Sequence, residues 1–234
     1  MPRPDVMLLP GMMLDARAFE GQIEALAHRV RVTVPGLGPG ATIGAMAEGL
    51  LAGAPARFAL AGLSMGGIVA MEMWRRAPQR ITHLALLDTT PYPDTAQRGA
   101  VRLEQIARVD AGDLHAVVES MTPLYLGRHH QTDQGLRRSI LKQGLKLGPE
   151  TFRRQSLALR DRCDCVATLP TIDCPSLVLC GREDELCPVG YHTMMATAMP
   201  RADLVVLAEC GHLSTMEEPA AVADALARLL DRPA

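Results

Sequence analysis

The chain has 234 residues, 48% of them hydrophobic, and a formal net charge of −2. That is enough apolar material for one sizeable core, plausible as a single α/β domain carrying an insertion. The charge balance and the lack of a basic stripe argue against a nucleic-acid partner, and no apolar run approaches the ~20 residues needed to span a membrane.

The first apolar run, residues 6–9, follows Met1-Pro2-Arg3-Pro4-Asp5 and reads as a strand. It is too short for a signal-peptide core and lacks a small-residue cleavage site, so a cytoplasmic protein is expected. Residues 15–28 have helical spacing, with Phe19, Ile23, Leu26 and Ala27 on one face. A strand over 30–34 ends at Pro35-Gly36. Thr42 is placed to cap a helix running to about residue 52. A strand over 57–61, a helix over 68–76 and a strand over 81–87 follow.

Between residues 94 and 162 the alternation stops. Four consecutive helical stretches are expected, over 94–109, 113–122, 133–147 and 149–162, with no strand between them. Consecutive helices cannot return one by one to a parallel sheet, which points to an inserted helical cap over the strand ends. The rhythm resumes with a strand over 176–180, a helix over 189–198, a strand over 204–207 and a final helix over 216–230. Ser214-Thr215-Met216-Glu217 has capping-box spacing before that helix.

The six cysteines all lie in the C-terminal third. Cys163-Asp164-Cys165 is one close pair without a second at zinc-binding spacing, so no metal is expected, and the cysteines read as reduced, small apolar residues.

Gly62-Leu63-Ser64-Met65-Gly66 matches G-x-S-x-G at a junction between an expected strand and an expected helix. That is the context of a nucleophile elbow, in which a strained turn lifts the serine hydroxyl above the sheet. Close convergence of strand and helix leaves room only for glycine at 62 and 66. A serine hydroxyl needs a base, and the base an orienting acid. His212, in Gly211-His212 between the last strand and the final helix, is the histidine placed at the strand ends beside Ser64. The other histidines read as surface or packing residues. For the acid, Asp184 follows the strand over 176–180 and comes after the serine in chain order. Asp88, after the strand over 81–87, is the alternative.

Taken together, the chain resembles α/β-hydrolase-fold enzymes of the group with a helical cap. The residues that carry the likeness are Leu8-Leu9-Pro10-Gly11, Gly62-Leu63-Ser64-Met65-Gly66-Gly67, Leu86-Leu87-Asp88-Thr89, the run from Cys174 to Asp184, Pro188, Gly211-His212 and Glu218-Pro219. Within the group it is similar to small carboxylesterases and to enol-lactonase-like enzymes. The resemblance implies Ser64 as nucleophile, Asp184 as acid, His212 as base, and the backbone N–H groups of Met65 and of Met12 (or Met13) as oxyanion donors. It implies no cofactor and a small-molecule substrate.

Pro10-Gly11 stands where such enzymes often carry His-Gly. The first strand comes early, so a shortened sheet of six parallel strands is expected. Residues 1–91 and 163–234 would form the core and 92–162 the cap. Hydrolysis of a carboxylic ester or thioester of a small apolar acyl group is the leading expectation. Lactone opening, C–C bond cleavage or proton-abstraction elimination with the same triad is the alternative, and a non-catalytic ligand-binding role is a third reading.

Overall fold

The computed structural model describes residues 3–234; Met1 and Pro2, the start of the expected core segment, lie outside the described residues. Strands β1 (Asp5–Leu9), β2 (Arg31–Thr33), β3 (Phe58–Leu63), β4 (Ile81–Leu87), β5 (Ser176–Gly181) and β6 (Ala202–Leu207) form one sheet in the order β2-β1-β3-β4-β5-β6. Every neighbouring pair is parallel, in keeping with the shortened six-stranded sheet expected from the sequence.

Strand composition explains the layering. β3 and β5 are buried at every position, as continuous apolar runs must be when helices cover both faces. The short β2 and the partly exposed β6 are the edges. Alternate side chains divide the interior. Met7 and Leu9 point into a core with α2 (Ile43–Gly53), α3 (Met65–Arg76) and α7 (Val189–Ala198). Val6 and Leu8 point into the opposite core with α1 (Glu20–Leu26) and α9 (Pro219–Leu230).

Several boundaries differ from the sequence reading for local reasons. Residues 16–19 form a 3₁₀ turn before α1, and Ala27 is exposed rather than part of the buried face. Thr42 does cap α2, its Oγ1 accepting from the Ala45 N–H at 3.1 Å. β3 runs on to Leu63 and α3 begins at Met65, so Ser64 is the whole connection. The expected final helix is two, α8 (Ser214–Glu217) and α9, because Pro219 cannot continue a helix and instead starts one. The capping box does not form: Leu213 occupies the cap position, and Ser214 and Glu217 bond elsewhere.

Between β4 and β5, α4 (Ala96–Asp110), α5 (Leu114–Tyr125) and α6 (Gln134–Arg160) pack on one another. Gly148, at φ 80°, breaks α6 internally, and Pro149 restarts it at the boundary read from the sequence. All six cysteines are free, and Cys174, Cys180, Cys187 and Cys210 are buried.

Candidate active site

The turn from β3 to α3 places Ser64 at φ 53° and ψ −115°, a conformation rare for a residue with a side chain. Backbone crowding explains its glycine neighbours. A β-carbon at Gly62 would lie 2.3 Å from the Gly66 carbonyl oxygen, and one at Gly66 would lie 2.1 Å from the Leu9 carbonyl oxygen. Gly62 therefore faces α3, whereas Gly66 faces β1. Ser64 N–H donates to Leu87 O at 2.8 Å, and Thr89 Oγ1 donates to Ser64 O at 2.7 Å. The strained turn is thus tied to the end of β4 and to the loop just after it.

His212 reaches Ser64 from the loop after β6. Its Nε2 lies 2.8 Å from Ser64 Oγ, and its Nδ1 lies 2.8 Å from Asp184 Oδ2. With the proton on Nδ1 donated to the carboxylate, Nε2 is left to accept from the serine hydroxyl. Asp184 Oδ1 accepts from the N–H groups of Leu186 and Cys187 at 2.9 and 2.8 Å, which fixes its direction. Ser64, His212 and Asp184, 148 and 28 residues apart along the chain, are thereby brought together. Burial pulls the His212 imidazole down, but the charge and hydrogen bond of Asp184, with Asp88 and Glu217 behind, raise it above the usual histidine value of 6.5.

Asp88 does not touch the imidazole. Its Oδ1 accepts from Gly181 N–H at 3.0 Å, and its Oδ2 from Ser214 N–H at 3.1 Å and Ser214 Oγ at 2.5 Å. Burial, then the nearby Asp184 charge, pushes its carboxyl up to about 8 against the opposing pull of His212, Ser214 and Gly181. Glu183 Oε2 accepts from Arg128 N–H at 2.6 Å, facing the helical insertion, and Glu185 is exposed.

The backbone N–H groups of Met12 and Met65 have no hydrogen-bond partner among the described residues. Met13 N–H is not available as an alternative, because it donates to Gln155 Oε1 at 2.8 Å. Gly11 packs closely on the elbow: a β-carbon there would sit 3.3 Å from Leu14 Cδ1 and 3.4 Å from Ser64 Cβ.

Sequence reading missed several residues that shape this site. His192, read as packing, is buried and accepts from Thr89 N–H at 3.0 Å; burial lowers its imidazole to about 4. Glu217 accepts from the N–H groups of Gly211 and Leu213 on either side of His212, and from Gly127 N–H at 2.7 Å. Tyr125 stacks on His212 with ring centroids 5.9 Å apart and accepts the His212 N–H at its carbonyl. The sequence signal for Glu217 was only its capping-box spacing with Ser214.

One atom each from Asp184, Cys187 and His212 lie within 4.8 Å of one another, a spacing that metal ligands could use. Burial drives the Cys187 thiol well above its usual value, and Asp184 is already committed to His212, so the set is held as an acid–base pair beside a protonated thiol.

A cavity of about 440 Å³ opens onto Ser64 and His212 and runs beneath α4 and α5. Residues 6–225 match the model of the alpha/beta hydrolase family.

The chain belongs to that family.

It is 30% identical to the pimeloyl-[acyl-carrier protein] methyl ester esterase of Nitrosomonas europaea, over 92% of this chain and 91% of that protein. Among solved structures it is similar to a thermophilic esterase from Thermogutta terrifontis, at 30% identity and a TM-score of 0.89, covering 98% of this chain and 90% of the other. The enol-lactonase from Burkholderia xenovorans superposes with a TM-score of 0.88 over 99% of this chain and 93% of its own, at 21% identity, a likeness of fold.

Proposed function

We propose that this protein hydrolyses carboxylic esters or thioesters of a small acyl group through Ser64, His212 and Asp184. The single observation that carries the reading is the unbroken hydrogen-bond series from Ser64 Oγ to His212 and on to Asp184, each step 2.8 Å. The name of the Nitrosomonas europaea relative makes a methyl ester of an acyl chain the first substrate class to test.

In the proposed reaction, His212 Nε2 removes the Ser64 proton as Oγ attacks the ester carbonyl. The carbonyl oxygen becomes an oxyanion held by the N–H groups of Met12 and Met65, the latter at the N-terminus of α3, whose dipole favours negative charge. The imidazolium, stabilised by Asp184, passes its proton to the departing alcohol or thiol, leaving an acyl-enzyme. Water, activated by His212, then releases the acid. Every proton is moved by side chains of this chain. We read residues 92–162 as a cap that limits water access over the cavity.

The test is labelling by a fluorophosphonate probe together with turnover of short p-nitrophenyl esters. Both are expected in the parent protein and lost in Ser64→Ala. Because His212 must be neutral to act as base and its pKa is raised, kcat/KM should fall with decreasing pH along a limb lying above pH 6.5. A parent protein that neither labels nor turns over, while a reference serine esterase does both, would refute the proposal.

A further inference from the structure

The cavity is not uniformly apolar. Thr95, Arg98, Arg102 and Gln105 line it, and their spacings of three, four and three residues put them on one face of α4 and its cap. A helix that merely covers a core would turn such a stripe to solvent. Here Leu103 of the same helix is left 48% exposed, while the arginines face inward.

Arg162 lines the cavity as well, so three guanidinium groups meet there, and no Asp or Glu is among its lining residues. The nearby carboxylate is Asp94, which is buried and shared: its Oδ2 accepts from Arg102 Nε at 2.5 Å and its Oδ1 from Arg162 Nη1 at 2.7 Å. Two of the three guanidinium groups thus share one carboxylate, and Arg98 has no carboxylate partner among the described residues. Arg162 donates from Nε to Tyr92 O and from Nη1 to Asp94 and Leu159 O, leaving Nη2 without a partner among the described residues. Arg102 is less engaged: Nη1 has only the Met12 sulfur at 3.7 Å, and Nη2 has no partner among the described residues. Arg98 uses Nη2 on Leu186 O at 2.7 Å, leaving Nε and Nη1 without partners among the described residues.

Unspent guanidinium donors in a cavity want an oxyanion. We propose that Arg98 and Arg102 form a subsite for a carboxylate carried by the substrate itself, so that the preferred ester is the half-ester of a dicarboxylic acid. The contact of Arg102 with Met12 places this subsite beside the proposed oxyanion donors. The apolar part of the lining, including Ile68, Met121 and Leu159, would hold the chain between the two carbonyls. This inference rests on the proposed ester chemistry at Ser64, and its test is made independent of that chemistry.

Calorimetry with the Ser64→Ala protein would compare the monomethyl and dimethyl esters of straight-chain dicarboxylic acids of increasing length. At the best length the monomethyl ester should bind at least about tenfold more tightly, as charge-assisted hydrogen bonds imply. Arg98→Gln and Arg102→Gln should each cut that ratio by about fivefold or more. Arg98 has the safer role for folding, since its substitution leaves the Asp94 cluster intact. Equal or tighter binding of the dimethyl ester at every length would overturn the subsite, as would a ratio unmoved by both substitutions. Inorganic phosphate serves as competitor: strong displacement by phosphate without a monomethyl preference would assign the site to phosphate and overturn the carboxylate reading. Turnover of the dimethyl ester by the parent protein reports on the esterase proposal alone.

Discussion

At the scale of single residues, three side-chain-bearing positions among the described residues adopt positive φ: Met13 at 57°, Ser64 at 53° and Asp88 at 45°. All three adjoin the strand ends that build the site, and each is held by a named bond: Met13 N–H to Gln155, Ser64 N–H to Leu87 O, Asp88 N–H to Leu179 O. Strain of this kind costs on the order of 1–3 kcal/mol per residue and persists only where surrounding contacts impose it. The two aspartates separate cleanly at this scale. Asp184 faces His212, and Asp88 holds the loop that begins at Ser214. Asp184→Asn is expected to lower kcat on the order of 10⁴-fold, because the imidazole loses its orienting acceptor. Asp88→Asn keeps an acceptor for Gly181 N–H and should cost at least a hundredfold less by that logic. Steady-state kinetics on one ester decides it; an equal or greater loss at Asp88 would reverse the assignment.

At the scale of elements, α6 reaches across to the loop after β1. Gln155 Oε1 accepts from Met13 N–H at 2.8 Å, and Gln143 Oε1 accepts from Asp15 N–H at 2.9 Å. Both glutamines are buried, twelve positions apart on one helical unit interrupted at Gly148. The helical insertion therefore sets the path of the Met12 peptide, whose N–H is a proposed oxyanion donor. Gln155→Leu would keep the volume and remove the acceptor, leaving a buried N–H unpaired at a cost of about 1–3 kcal/mol. It should also lower kcat by roughly tenfold or more with a smaller change in KM, up to the ~10²–10³ expected for losing a donor outright. A Gln155→Leu protein less stable but with unchanged kcat would show that the contact serves the fold alone.

At the scale of the molecule, buried titratable groups make stability depend on pH. His192 is neutral in the fold, its imidazole lowered to about 4 by burial, so that Nε2 can accept from Thr89 N–H. The unfolded chain takes up that proton near the usual value of 6.5, whereas the folded protein resists until about 4. Stability present above pH 6.5 is therefore lost as pH falls from 6.5 toward 4. His192→Gln retains an acceptor and has nothing to protonate. Denaturant unfolding at pH 7 and pH 4.5 should show the parent losing on the order of 1–3 kcal/mol more than the variant over that interval. Equal losses in the two proteins would place the acid sensitivity elsewhere.

Much of this protein was legible in its local patterning. The bounds of β4 and α7 coincide with the periodicity read from the chain, and G-x-S-x-G at a strand–helix junction marked the elbow. Those features are local: apolar spacing selects the backbone, and the crowding at Gly62 arises from residues four and five positions away. What only the tertiary structure decided is where long-separated polar groups spend their hydrogen bonds. Ser214 and Glu217 carry the letters of a helix cap, yet one bonds Asp88 across 126 residues and the other clamps the loops around His212 and Gly127. Gln155 reaches Met13 across 142 residues, and the arginines of α4 face a cavity that exists only once α4 and α5 lie over the sheet ends. A side chain's periodic position says which face of a helix it occupies. Whether that face meets water, a backbone N–H or an empty cavity depends on segments that no local window contains.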